Sequence, residues 1–402
     1  MEISFENTTV AFAYKTDSQL KKAKFLFSSM GKGWLVKLGT HFTPWALKIG
    51  LPVQGIIRKT IFEQFVGGES LEETKPVAST LHQYGVQVIL DYGVEGKNGE
   101  ENFDLAKDEF IKVIQYAAHE PDIPFISIKL TGFARFELLE KINSIMDAEE
   151  AVNGFINETI LTAGEREEWK AIKIRLLEIC VAADQSGIGV LIDAEESWIQ
   201  HPVDALCNQM MERFNKGKVV VYNTIQLYRS DRLQFLKDSI NASKLKGFVL
   251  GAKLVRGAYM EKERKRALEK NYTSPIQPDK QSTDTDYNAA VAYCIENLTN
   301  LSLIVASHNE YSNLFTTKLL LHNGHSLNHP HVHFSQLYGM SDNITFNLAE
   351  AGCSVSKYLP FGPLKDVVPY LMRRAQENSS VSGQTGRELG LIKRELMRRS
   401  GK

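Results

Sequence analysis

From Val86 onward, eight short apolar runs rich in β-branched residues recur: VQVIL, FISIKL, IGVLI, VVVYNTI, VLGAKLV, LIVASHN, HVHFSQL and VSKYL. A helix-length stretch separates each from the next. Runs that are apolar on both faces belong to parallel strands buried beneath crossover helices. Eight such units predict an α/β chain closed into a (βα)8 barrel rather than an open sheet.

The residues that end these runs are polar: Asp91, Lys129, Asp193, Gln226, Arg256, His308, Gln336 and Tyr358. Barrel active sites are assembled from side chains at the C-terminal ends of several strands. Any one polar strand end is unremarkable, since strands stop at the surface. Eight together predict a ring of charged and hydrogen-bonding groups around one mouth.

Three segments are expected: a helical arm over 1–75, the barrel over 76–378, and a helical tail over 379–402. The arm carries the helix-periodic stretches DSQLKKAKFLFSSM and IRKTIFEQF. The formal net charge is -1. That balance argues against nucleic acid, whose phosphates call for a basic surplus. Four scattered cysteines, Cys180, Cys207, Cys294 and Cys353, contain no CxxC pair. They read as reduced intracellular thiols without structural zinc. No apolar run reaches the ~18 residues of a membrane span, and the N-terminus shows no secretory signal.

Lys129, at the end of a buried strand, needs a partner. It reads as a rim ion pair, a Schiff-base nucleophile or a fixed cation for a carboxylate or cofactor. In LIDAEES, Asp193 is placed to face the mouth, and Glu196 reads mainly as a first-turn acid of the following helix. KLVRGAY puts Lys253 and Arg256 on one strand end before Gly257, whose missing side chain allows close approach to a ligand. Cations and backbone amides there suit a pyrophosphate. His308 and Asn309 follow another strand, and a structural hydrogen bond is the commoner use of such a histidine. HNGHSLNHPHVHF holds five histidines, yet His331 and His333 start a strand at the bottom of the barrel, so no metal site is expected. A GxGxxG fingerprint is absent. In PYLMRRAQE, Tyr370, Arg373, Arg374 and Glu377 share one helix face, and Val367, Val368, Leu371, Met372 and Ala375 form the other. Adjacent guanidiniums suit bidentate capture of a carboxylate.

ISIKL, IDAEE, KLVRGAY, SHN, QLYGM and YLPFGPLKDVVPYLMRRAQENSS, with FEQFVGGE in the arm, resemble proline dehydrogenases, in particular the single-function type. The resemblance runs from about residue 55 to the end. It implies a distorted (βα)8 TIM barrel whose last helix lies over the mouth. It implies FAD as cofactor and oxidation of L-proline to Δ1-pyrroline-5-carboxylate by hydride transfer to flavin N5. It further implies electrons passed to a membrane quinone and a separate pyrroline-5-carboxylate dehydrogenase downstream. By the same resemblance Arg373, Arg374 and Lys129 hold the proline carboxylate. Tyr370, Leu371, Tyr358 and Tyr259 pack around the ring. Glu63 pairs with the two arginines, and Asp193 lies near flavin and substrate. Gln226, Lys253, Arg256, Gly257, Ala258, Ser307, His308, Asn309 and Glu377 contact FAD. Lys253 stands where bifunctional members often carry arginine. The aldehyde dehydrogenase and DNA-binding modules of those members are not expected in this chain.

Three other readings remain open at this stage: a Schiff-base aldolase using Lys129, a ligand-binding barrel without catalysis, and a hydroxyproline dehydrogenase. Tyr358 is placed to crowd a ring hydroxyl, which favours proline. The expected location is the cytoplasm with transient contact at the inner membrane in a bacterium, or the mitochondrial matrix or inner membrane in a eukaryote. The basic tail GLIKRELMRR reads as a packed helix more readily than as a bilayer-surface one.

Overall fold

A computed structural model of the chain describes residues 3–31, 54–93, 98–380 and 384–401, without the side chains of 376–380 and 384. Eight strands close into a barrel in the order β1 to β8. They are β1 (Gln87–Tyr92), β2 (Phe125–Ile128), β3 (Gly189–Ile192), β4 (Val221–Gln226), β5 (Leu250–Val255), β6 (Leu301–Ala306), β7 (Val332–Leu337) and β8 (Val355–Phe361). Each falls on one of the eight apolar runs. β3, β4 and β8 are buried at every residue, as strands covered on both faces must be.

β8 runs three residues past Tyr358, which is therefore inside the strand and not at its end. Pro360 has no N–H to give a ladder. Here its carbonyl accepts from Gly67 at 2.8 Å, and the pairing with β1 continues through Asp91 opposite Pro360 and Tyr92 opposite Phe361.

The chain divides into two compact units, residues 1–95 with 336–402, and residues 96–335. In the first, the helix Asp17–Met30 starts at a capping box in which Thr16 and Gln19 bond reciprocally, satisfying two otherwise orphaned N–H groups. Its buried stripe, Leu20, Ala23, Phe27 and Met30, meets Phe62 and Phe65 of the helical run 54–65. The same core takes in Val367, Tyr370 and Leu371 of the helix Leu364–Ser380, and Leu391 and Ile392 of the helix Gln384–Arg399. The tail is thus a packed helix.

A buried ionic cluster lies in the same unit. Asp342 accepts from the Tyr14 hydroxyl at 2.8 Å and is ion-paired with Lys357 of β8 at 2.9 Å and with Lys15 at 3.0 Å. Lys357 has 0% side-chain exposure. Glu388 of the last helix accepts from the Ser341 N–H beside it. Burial alone raises the pKa of Asp342, but Lys15 and Lys357 outweigh it and hold the carboxyl well below its ordinary range. An ion buried this deeply is tolerated only when so bonded.

In the unit 96–335, the helix Ala163–Ser186 ends on Gly187 at φ 70° and turns directly into β3, the left-handed position that glycine fills without cost. The Asp204–Arg232 pair has 0% side-chain exposure on both partners. It ties the helix Gln200–Phe214 to the helix Arg232–Lys246, and Asn223 of β4 donates to the same Asp204 at 2.8 Å.

Candidate active site

Within the unit 96–335, the positions just past β2 and β3 and an interior position of β5 bring together one carboxylate and two ammonium groups. Lys253 Nζ stands 2.5 Å from one Asp193 oxygen, and Lys129 Nζ stands 3.8 Å from the other. Lys253 is nearly enclosed, Asp193 is mostly buried and Lys129 is about a third exposed. The register accounts for this meeting. Asp193 N–H donates to Ile128 O at 2.8 Å, which sets Asp193 beside Lys129 just past the paired segments. Two cations bracketing one carboxylate are donors that suit an anionic ligand.

Behind this set sits Glu195, whose place in LIDAEES suggests no more than a first-turn acid of the following helix. Its carboxylate accepts from the Thr131 hydroxyl at 2.9 and 2.8 Å. Burial, and secondly Glu196, raises its pKa to about 7, with Lys129 and Thr131 opposing. Glu196 differs from expectation. It precedes the short turn Ser197–Ile199 without a side-chain cap and pairs with Lys262. A three-residue turn offers little dipole, and the ammonium outcompetes it.

The residues implied for FAD fall into two bonded groups. Arg256 donates from Nε to Asp284 at 2.9 Å, from Nη1 to Ser307 at 2.7 Å and from Nη2 to Ser312 at 2.6 Å, and it stacks 3.7 Å over Tyr287. Asn309 caps the helix Glu310–His322 through the Ser312 N–H, and its own N–H donates to Ser307. Gln226 donates to Glu195 O at 2.6 Å and to the Tyr228 hydroxyl at 2.8 Å. His308 is partly buried after β6. Ala258 is exposed and Tyr259 partly so, in the turn before the helix Met260–Lys270. The space beside Gly257 is filled by protein. A Cβ there would lie 2.2 Å from Met260 Sδ. Asp284, Tyr228 and Thr131 support these residues from positions to which no periodic pattern pointed.

In the unit 1–95 with 336–402, the helix Leu364–Ser380 carries both arginines. Its burial divides differently from the expected faces. Val367, Tyr370, Leu371 and Arg374 are buried together, while Arg373 and Met372 are half-buried. The positions 367, 370, 371 and 374 follow i, i+3, i+4, i+7, so Tyr370 and Arg374 belong to the core-facing stripe. The Arg374 guanidinium lies 5.2 Å from the Tyr370 ring centre. Tyr358 is buried in β8. Glu63 bonds to Lys22 of the helix Asp17–Met30 at 3.0 and 3.1 Å. The Glu377 side chain lies outside the described residues.

The sequence profile described as proline dehydrogenase matches residues 75–387, which span every barrel strand and both arginines. The chain belongs to the proline dehydrogenase family. It is 32% identical over 385 residues to mitochondrial proline dehydrogenase 1 of Dictyostelium discoideum, covering 88% of this chain and 67% of that protein. It is 34% identical to the carbapenem antibiotics biosynthesis protein CarD of Pectobacterium carotovorum, covering 86% of each. It is 31% identical to hydroxyproline dehydrogenase of Xenopus laevis, covering 90% of this chain and 80% of that one. Among solved structures, proline utilization A of Bdellovibrio bacteriovorus superposes with a TM-score of 0.70 at 20% identity. That match covers 96% of this chain and 40% of the other, and it establishes the shared fold. Among the described residues no helix is long and apolar enough to cross a membrane.

Proposed function

We propose that the chain oxidises L-proline to Δ1-pyrroline-5-carboxylate using FAD and passes the electrons to a membrane quinone. A separate dehydrogenase then consumes the product. The observation that carries this reading is the carboxylate of Asp193 bracketed by Lys129 and Lys253, inside the region that matches the family.

The donors present suit FAD. Lys253 within β5 and Arg256 just past it give two positive charges, and Ser307, His308 and Asn309 give hydrogen-bonding groups past the end of β6. When bound, the flavin supplies the acceptor for the hydride that leaves the carbon beside the ring nitrogen. Arg373, Arg374 and Lys129 are assigned the substrate carboxylate, whose fixation orients that carbon. Tyr370, Leu371, Tyr358 and Tyr259 are assigned the ring. Asp193 is assigned the task of holding Lys129 and Lys253 in place.

An absorbance spectrum of the purified protein before and after anaerobic proline tests this. A yellow protein bleached by proline is the expected result. A colourless protein that borohydride links to a carbonyl substrate at Lys129 would overturn it in favour of a Schiff-base enzyme. The Xenopus relative's name supports hydroxyproline as a second substrate to compare. Buried Tyr358 is assigned the exclusion of a ring hydroxyl, so proline is expected to give the higher kcat/KM.

A further inference from the structure

Resting on the assignment of Lys129 to the substrate carboxylate, we infer that Glu195 is a positioning residue for that contact. Through the Thr131 hydroxyl it fixes the turn that carries Lys129 against the loop that carries Asp193. Thr131 belongs to the short turn Leu130–Gly132 that follows Lys129, and Glu195 lies the same distance past Asp193 as Thr131 lies past Lys129. The hydroxyl stands 2.9 and 2.8 Å from the two carboxylate oxygens, and the Thr131 N–H approaches one of them at 3.4 Å. Asp193 N–H already donates to Ile128 O. The segments beyond β2 and β3 are therefore joined both before and after the Lys129–Asp193 pair along the chain.

Glu195 is the anchored end of this link. Its N–H donates to Gln200 Oε1 at 3.1 Å, and its carbonyl accepts from Gln226 Nε2 at 2.6 Å. Gln200 donates in turn to Asp204 at 3.0 Å, and Asp204 is the fully enclosed partner of Arg232. The residue is thus tied to β4 and to the helices Gln200–Phe214 and Arg232–Lys246. The Lys129 ammonium, 3.8 Å from Asp193, is beyond hydrogen-bond length there. Where it sits depends on the turn from which its flexible stem springs, and Glu195 holds that turn.

The chemistry of the carboxyl suits this use. Burial, with Glu196 second and Lys129 and Thr131 opposing, raises its pKa to about 7, so both protonation states occur near neutrality. Ionised, the group accepts from the Thr131 hydroxyl; protonated, it can also donate to it. The link holds in both states, and a side-chain amide of the same length could replace it. Losing the link leaves the cofactor donors in place. Gln226 bonds to the Glu195 backbone oxygen, which any residue at that position keeps, and Lys253 reaches Asp193 independently. The defect should therefore fall on the substrate carboxylate and spare flavin retention and the hydride step.

Two measurements on the purified full-length protein test this. Cyclopentanecarboxylate keeps the ring and carboxylate of proline without the amine, so it can bind and cannot be oxidised to an imine; calorimetry gives its Kd. Thr131→Val and Glu195→Leu should each raise that Kd and the proline KM by about ten-fold, with kcat within about three-fold of the wild type and flavin content unchanged. Glu195→Gln, whose amide still accepts from Thr131, should restore most of the binding lost in Glu195→Leu. The second measurement needs no turnover: acetylation of Lys129 by an N-hydroxysuccinimide ester, followed by peptide mass spectrometry. Its rate should change by about three-fold or more in Thr131→Val and Glu195→Leu, and return towards the wild-type rate in Glu195→Gln. Thermal transitions show which variants are folded, and Thr131→Val, which keeps the side-chain shape, carries the test where Glu195→Leu does not fold. An unchanged Lys129 rate in the folded variants would overturn the inference whatever happens to proline. So would a Glu195→Gln variant as impaired as Glu195→Leu, which would make the charge of Glu195 the active feature. Lys129 rates that respond as expected in a protein that proline does not bleach would uphold the link and overturn the assigned reaction instead.

Discussion

Asp193 stands between two lysines, with Lys253 Nζ 2.5 Å from one oxygen and Lys129 Nζ 3.8 Å from the other. Removing the carboxylate would take away the charge to which both ammonium groups are drawn. Breaking such a partly buried set by deleting one partner costs about 3 kcal/mol or more. Asp193→Asn is thus expected to lower kcat/KM for proline by about a hundred-fold and to weaken flavin retention, while the fold survives. Stopped-flow reduction by proline and the flavin content of the purified variant check both parts. A variant with wild-type kinetics would mean that Asp193 does not position the lysines.

The arginine pair calls for a different signature. Hydrogen bonds between a guanidinium and a carboxylate contribute about 1.5–3 kcal/mol each. Arg373→Met and Arg374→Met are each expected to raise the proline KM by about ten- to a hundred-fold, with a smaller effect on kcat. Arg374→Met carries an added structural effect because Arg374 is buried against Tyr370. Arg373, half-buried, gives the cleaner measurement. Unchanged KM in both variants sinks the assignment of the carboxylate.

The eight strands were legible because a parallel strand buried on both faces must be apolar throughout, and the sequence has eight such runs. The lysine and aspartate of the site were legible for a related reason: polar residues directly after buried runs have one place to go. Contacts between distant residues left no such trace. Lys22 reaches Glu63 across 41 positions, and Asp284 reaches Arg256 from a helix whose pattern marks only its buried side. The burial of Arg374 was also hidden, since a charged residue on a helix reads as solvated until its neighbours are known.

Glu388 gives a pH dependence with a definite sign. Burial, and secondly Asp342, raises its pKa from 4.5 to about 7, against the Ser341 N–H, Lys357 and Lys15. Tyr14 also faces the cluster, as the donor to Asp342. Between these two values the folded chain keeps a proton that the unfolded chain gives up. Stability from this group is therefore complete below the ordinary carboxyl pKa and is lost as pH rises through about 7. The full effect is at most about 3 kcal/mol. Glu388→Gln should flatten the decline of Tm between about pH 5 and about pH 8. Asp342, whose pKa is lowered, acts oppositely, and its contribution is lost as pH falls. A Glu388→Gln profile parallel to the wild type's would remove Glu388 from the pH response.

Gly339 tests how tightly the loop after β7 is held against the helical run that carries Glu63. Its φ is +78°, and an added Cβ would stand 1.9 Å from Gln64 O. The same pair is bonded in the other direction, with Gln64 Nε2 donating to Gly339 O at 2.7 Å. Gln64 cannot move aside cheaply, because Phe65 is fully buried next to it and Val66 N–H is bonded to Phe62 O. Gly339→Ala should therefore cost about 1 kcal/mol for the left-handed backbone and a further 1–3 kcal/mol, roughly, for overpacking. Gly324 separates the two contributions. Its φ is +75°, yet nothing lies within 4 Å of the added carbon, so Gly324→Ala should cost only the backbone share. Denaturant midpoints of the two variants measure the difference. Equal losses would show that the Gly339 contact yields without strain, and the Gln64 carbonyl would then be free to shift with Glu63 beside it.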